Sequence, residues 1–151
     1  MKILIVAHPD DEVLWFNPEE FDRILIVFQY RIDKPDQGAQ RAKAIEEHPL
    51  AGRIGCLGFE ESNYWRDKSK KEKHEDNYNK LCGILRNLAN EMHGGDEVTT
   101  HNALGEYQHA DHILVHNACM ETMNCRVNGK NPEIYRKAKA AYERNGCWTW
   151  Y

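Results

Sequence analysis

The chain has 151 residues, 41% of them hydrophobic and 29% charged, with a formal net charge of −4. That length suits one domain spanning residues 1–151, and the balance is that of a globular protein, not a disordered or fibrous one. The mild acidity disfavours nucleic acid, no apolar run approaches a membrane span, and five cysteines without CxxC spacing indicate neither a disulfide framework nor a zinc ribbon.

The chain opens on Ile3-Leu4-Ile5-Val6-Ala7, a short β-branched run suited to a strand buried on both faces. Five apolar residues are too few for a secretory leader, and reduced thiols in a cytoplasmic protein fit best. Pro9 cannot continue a central ladder. His8, Asp10, Asp11 and Glu12 therefore sit at the strand's carboxyl end, where open α/β sheets bind ligands. Imidazole nitrogen and carboxylate oxygen both suit zinc. Asp10 and Asp11 are neighbours that point different ways outside a helix, so one can hold a metal while the other faces a water. A helix start, with acids complementing the dipole, explains this segment as well when it is taken alone.

Residues 13–21 are short and mixed, enough for one helical turn, with Trp15 and Phe16 read as core packing in preference to lining the mouth of a site. A second strand is predicted over residues 23–28 and a polar loop over 33–38. A helix follows over 39–48, ended by Pro49. A third strand over 53–59 delivers Glu60 and Glu61 to its carboxyl end. Residues 67–92 contain a long helix, because Tyr78, Leu81, Cys82, Leu85, Leu88, Ala89 and Met92 recur at three and four residues. The basic stretch at 68–73 is flanked by acids and reads as its solvated start. A short fourth strand over 97–101 ends at His101.

Next comes Gly105-Glu106-Tyr107-Gln108-His109-Ala110-Asp111-His112, then His116. If a helix begins near His109, then His109 and His112 share a face. His109, His112 and His116 form a rival ligand set, disfavoured because it leaves the first cluster unexplained. Residues 124–131 read as a turn-rich linker or small hairpin. Pro132 starts a last helix through Arg144, and the aromatic tail Trp148, Trp150 and Tyr151 is read as packing. Alternating strands and helices predict α/β architecture: a Rossmann-like three-layer α/β/α sandwich with a mostly parallel sheet. The absence of GxGxxG and of a P-loop argues against a dinucleotide-binding protein.

Taken together, His8-Pro9-Asp10-Asp11-Glu12 and His109-Ala110-Asp111-His112 resemble the paired motifs of the LmbE-like, or PIG-L, metal-dependent de-N-acetylases. Thr100-His101-Asn102 and Gly105-Glu106-Tyr107 extend the likeness, which covers most of the chain in order and position. The resemblance implies that His8, Asp11 and His112 are the metal ligands. It makes Asp10 the general base, His109 the stabiliser of the oxyanion or proton donor to the leaving amine, and Asp111 the residue that orients His109. Tyr107 would reach the reacting carbonyl, and Glu12 would act behind the ligands or cap the helix. Arg41 and Glu60, or Glu61 in its place, are implied substrate contacts, with ordinary surface charge an equal reading of Arg41. His101 would support the ligands. The cofactor would be Zn2+, with Fe2+ compatible with the same donors. The activity would be removal of an N-acetyl group from an N-acetylglucosamine-type conjugate, a small molecule or glycoconjugate. Another acylated amine or thiol-sugar conjugate is the alternative substrate, and a non-catalytic metal- or sugar-binding module the alternative class. Gln108 stands where the family has glycine and Ala110 where it has proline, and the glycine-rich stretch after the first motif is replaced by residues 13–17.

Overall fold

A computed structural model gives the fold and describes residues 1–128. The elements run β1 (Lys2–Val6), α1 (Asp11–Leu14), β2 (Arg23–Tyr30), α2 (Gln37–Glu47), β3 (Ile54–Glu60), α3 (Lys71–Glu91), β4 (Glu97–Thr100), α4 (Gly105–Gln108), α5 (Ala110–Thr122) and β5 (Cys125–Val127). The strands form one sheet in the order β3-β2-β1-β4-β5, and every pair is parallel. Order reverses beside β1: the chain first builds outward through β2 and β3, then returns to add β4 and β5 on the opposite side. Such a reversal leaves a crevice at the strand ends, the place where open parallel sheets bind ligands.

β1 is the central strand, and its run of Leu4, Ile5 and Val6 is fully buried. Strand side chains alternate between faces, and the two apolar clusters divide accordingly. Ile3, Ile5 and Val98 pack with Leu81 and Leu85 of α3 and Leu114, Val115 and Ala118 of α5. Leu4, Val6, Ile24 and Ile26 pack with Phe21 and with Ile45 of α2. The predicted stripe of α3 thus faces the core. Trp15 is buried against Tyr107, and Phe16 packs on Phe21, as the packing reading required.

Two boundaries differ from the sequence reading. α2 starts at Gln37, inside the expected loop. The expected linker or hairpin instead contains β5, a strand laid parallel to β4 with Val98 opposite Cys125. A three-residue edge strand has no periodicity to read, and only the return of the chain along α5 brings it to that edge. The last predicted helix, Gly146, Cys147 and the aromatic tail lie outside the described residues. Among the described residues four cysteines are free, and no helix is long and apolar enough to cross a membrane.

Candidate metal centre

The first motif is a tight turn leaving the central strand. The His8 N–H donates to Asp11 Oδ2 at 2.7 Å, and the Asp11 N–H donates to the His8 carbonyl at 3.2 Å. This closed turn turns Asp11 inward, where it is fully buried. Asp10, between them, has φ 95°, a left-handed conformation that aspartate tolerates better than most residues. The Asp10 N–H donates to Glu12 Oε2 at 3.0 Å, so Glu12 steadies the strained residue. That gives Glu12 a role behind the site, and its other oxygen lies 3.6 Å from His48 Nε2.

The second motif is held by an irregular loop. Gly105, Glu106 and Gln108 all have positive φ, at 58°, 58° and 71°. A Cβ on Gly105 would lie 2.8 Å from Ile113 Cγ1 and 3.2 Å from its backbone nitrogen, so only glycine lets the loop sit on α5. Gln108 carries the strain of the left-handed region. His109 caps α5: its Nδ1 accepts the Asp111 N–H at 3.1 Å. His112, one turn in, is fully buried beside β1.

The predicted ligands converge. His112 Nε2 lies 3.3 Å from Asp11 Oδ1, and His8 Nδ1 lies 3.3 Å from Asp11 Oδ2. Three donor sets bring their ligand atoms within 4.8 Å of one another: His8–Asp11–His112, His8–His109–Asp111 and His101–Glu106–His112. Hydrogen bonding separates them. His8 Nε2 is engaged by Asp111 Oδ2 at 3.1 Å, and His112 Nδ1 by Glu106 Oε2 at 2.7 Å. His8 Nδ1, Asp11 Oδ1 and His112 Nε2 are buried with no hydrogen-bond partner. Buried polar atoms of native proteins are nearly always satisfied. Three orphans, one on each residue of the first set and of the donor types zinc takes, fit a divalent cation. His116 stands apart, its Nδ1 bonded to the His101 carbonyl at 2.8 Å, so the rival set of three histidines on one helix does not form.

Electrostatics follow from burial. Burial opposes charge on His8, but the neighbouring carboxylates of Asp11 and Asp111 outweigh it and raise its pKa to about 10. Asp11 is held well below the usual carboxylate range: burial raises it, and the surrounding His112, His101 and His8 outweigh that. Asp10 moves the other way, to about 8, through burial and then the neighbouring charge of Asp11. Burial, with His8 and His112 nearby, keeps His109 neutral.

A cavity of about 820 Å³ opens over this cluster. His8, Asp10, Tyr107 and His109 line it, while Asp11 and His112 lie behind, fully buried. Tyr107 packs edge-on to His109 with ring centres 5.6 Å apart, and Trp65 stands 5.4 Å from the same ring. Arg41 lines the cavity, its Nη1 bonded to Glu61 Oε1 at 2.7 Å. Glu60 is the last residue of β3 and pairs with Lys73, and it is not among the residues that line the cavity. The next residue, Glu61, is buried and reaches within 3.8 Å of His8 Nε2, because successive strand residues face opposite ways. Asp111 also differs from expectation: its carboxylate engages His8, and only its backbone N–H touches His109. His101 does support the site, accepting the Ala7 N–H at 2.9 Å and stacking on His112 with ring centres 4.0 Å apart.

Sequence reasoning assigned no role to Glu106, whose carboxylate meets His112. An acid inside a Gly-x-Tyr turn was the available signal, but its direction depends on the loop's unusual backbone. No family model, curated protein or solved structure matches the chain.

Proposed function

We propose that the protein is a metal-dependent hydrolase that removes an N-acetyl group from an amino-sugar conjugate of the N-acetylglucosamine type. The observation that carries this reading is the trio of buried, unpartnered donor atoms on His8, Asp11 and His112 beneath a cavity lined by Asp10 and His109. His8, Asp11 and His112 would hold zinc or ferrous iron, leaving room for exogenous oxygen as catalytic sites with three protein ligands do. When bound, such an ion supplies Lewis acidity and a water of lowered pKa.

The chain's own residues perform the proton transfers and the positioning. Asp10, which lines the cavity beside the three donors, takes the proton of the attacking water. His109, whose Nδ1 is occupied by the Asp111 N–H, presents Nε2 to the charge developing on the carbonyl oxygen. Tyr107 sits beside it as a further polar contact. Trp65 offers a flat face to a sugar ring, and Arg41, held by Glu61, offers donors to its hydroxyls. The sheet with apolar clusters against α3 and α5 and against α2 fits the three-layer sandwich of LmbE-like proteins. Reduced cysteines fit a cytoplasmic setting.

Elemental analysis of the purified chain, paired with amine release from N-acetylglucosamine conjugates, tests the reading. One ion per chain and release that stops on chelation are expected. A chain that takes up no divalent metal refutes it, and bound metal without release from any acylated amine reduces it to a binding module.

A further inference from the structure

We infer that Glu106 is the positioning residue of His112, fixing the imidazole tautomer so that Nε2 presents a lone pair beside Asp11 and His8. This rests on the reading that His112 holds the ion. The Glu106 carboxylate is buried and meets four nitrogens. His112 Nδ1 lies at 2.7 Å and His101 Nδ1 at 2.8 Å from Oε2, and the Asn102 N–H at 3.2 Å and Asn128 Nδ2 at 3.1 Å from Oε1. An ionised carboxylate only accepts hydrogen bonds. Its neighbours must therefore be donors, and the proton of neutral His112 resides on Nδ1. His101 carries its proton on the same side: its Nε2 accepts the Ala7 N–H, so the proton of the neutral ring sits on Nδ1, which lies 2.8 Å from Glu106 Oε2 without hydrogen-bond geometry.

The backbone shows that this aim is held against a cost. Glu106 has φ 58° and ψ −64°, a rare and strained combination for a residue with a side chain. The loop keeps it through reciprocal bonds: the Glu106 N–H donates to Asn102 Oδ1 at 3.0 Å while the Asn102 N–H returns to Glu106 Oε1. Asn128, at the end of β5, adds the remaining tether, and its own N–H donates to the Thr100 carbonyl at 2.8 Å. The edge strand thus reaches the centre through one carboxylate. A carboxylate behind a ligating histidine orients the ring and raises its basicity.

The test uses the full chain and zinc alone. Glu106→Gln preserves volume but turns one acceptor into a donor, and each carboxylate oxygen already accepts at least one hydrogen bond from a nitrogen. Zinc affinity measured by chelator competition should fall about 10–100-fold, with cooperative unfolding of the metal-free protein retained. Long-range proton–nitrogen spectra of the metal-free wild type should place the proton of neutral His112 on Nδ1. Should Glu106→Gln fail to fold, that spectrum decides: a proton on Nε2 overturns the inference. Unchanged zinc affinity in Glu106→Gln overturns it while leaving the hydrolase reading intact, whereas a wild-type chain that binds no zinc overturns both.

Discussion

Replacing Asp10 with Asn tests the base and its surroundings together. Asn keeps the shape and tolerates the left-handed φ of 95°. In the metal-free protein burial and Asp11 raise the Asp10 pKa from 3.8 to about 8. A raised acid binds its proton more tightly folded than unfolded. Stability from this group is therefore full below about pH 4 and is lost as pH rises toward 8. At about 1.4 kcal/mol per pKa unit the loss has a ceiling of about 5–6 kcal/mol, and the partial exposure of the side chain screens that to a few kcal/mol. Denaturant unfolding of chelated wild type and Asp10→Asn at pH 5 and pH 8 reads it out. The variant should gain on the wild type as pH rises, while the titration of His8 is common to both. With zinc restored, the same variant should keep its metal but lose about 10²–10⁴-fold in amine release, the usual worth of a general base. Parallel stability curves would show that Asp10 is not held in its neutral form, and full activity would remove it as the base.

Gly105→Ala should destabilise the protein by about 2–4 kcal/mol, from the left-handed φ and from a Cβ placed 2.8 Å from Ile113 Cγ1; thermal melts check this, and a neutral result would mean the loop can lift off α5. Glu61→Gln should raise KM about tenfold by releasing Arg41, whereas Glu60→Gln, at an exposed pair with Lys73, should change neither KM nor kcat by more than about twofold. Steady-state kinetics that reverse this order would restore Glu60 to the cavity. Because His8 holds its proton up to about pH 10 without metal, zinc must displace that proton. Affinity should climb with pH by up to about tenfold per unit, and a flat profile between pH 6 and 8 would contradict the assignment of His8.

The local sequence determined the elements and the donor types. A short β-branched run cut off by a proline suits a buried strand, so β1 and the abrupt polar turn after it were legible from Ile3 to Glu12. The stripe from Tyr78 to Leu88 likewise declares α3 by its period. The set His8, Asp11 and His112 came from the resemblance of the two motifs, and the structure brings those three side chains together as a group that could hold a metal. Tertiary structure decided which atoms of these residues are engaged and which are left over. Asp111 turned out to hold His8, Glu61 bonded Arg41 while Glu60 paired with Lys73, and Glu106 reached His112 from a backbone conformation that no propensity favours. β5 became a strand only because α5 returns the chain to the edge of β4. These outcomes depend on directions set by residues about a hundred positions apart, as with His8 and Asp111. Periodicity and motif spacing carry information along the chain, whereas the aim of a side chain is set across it.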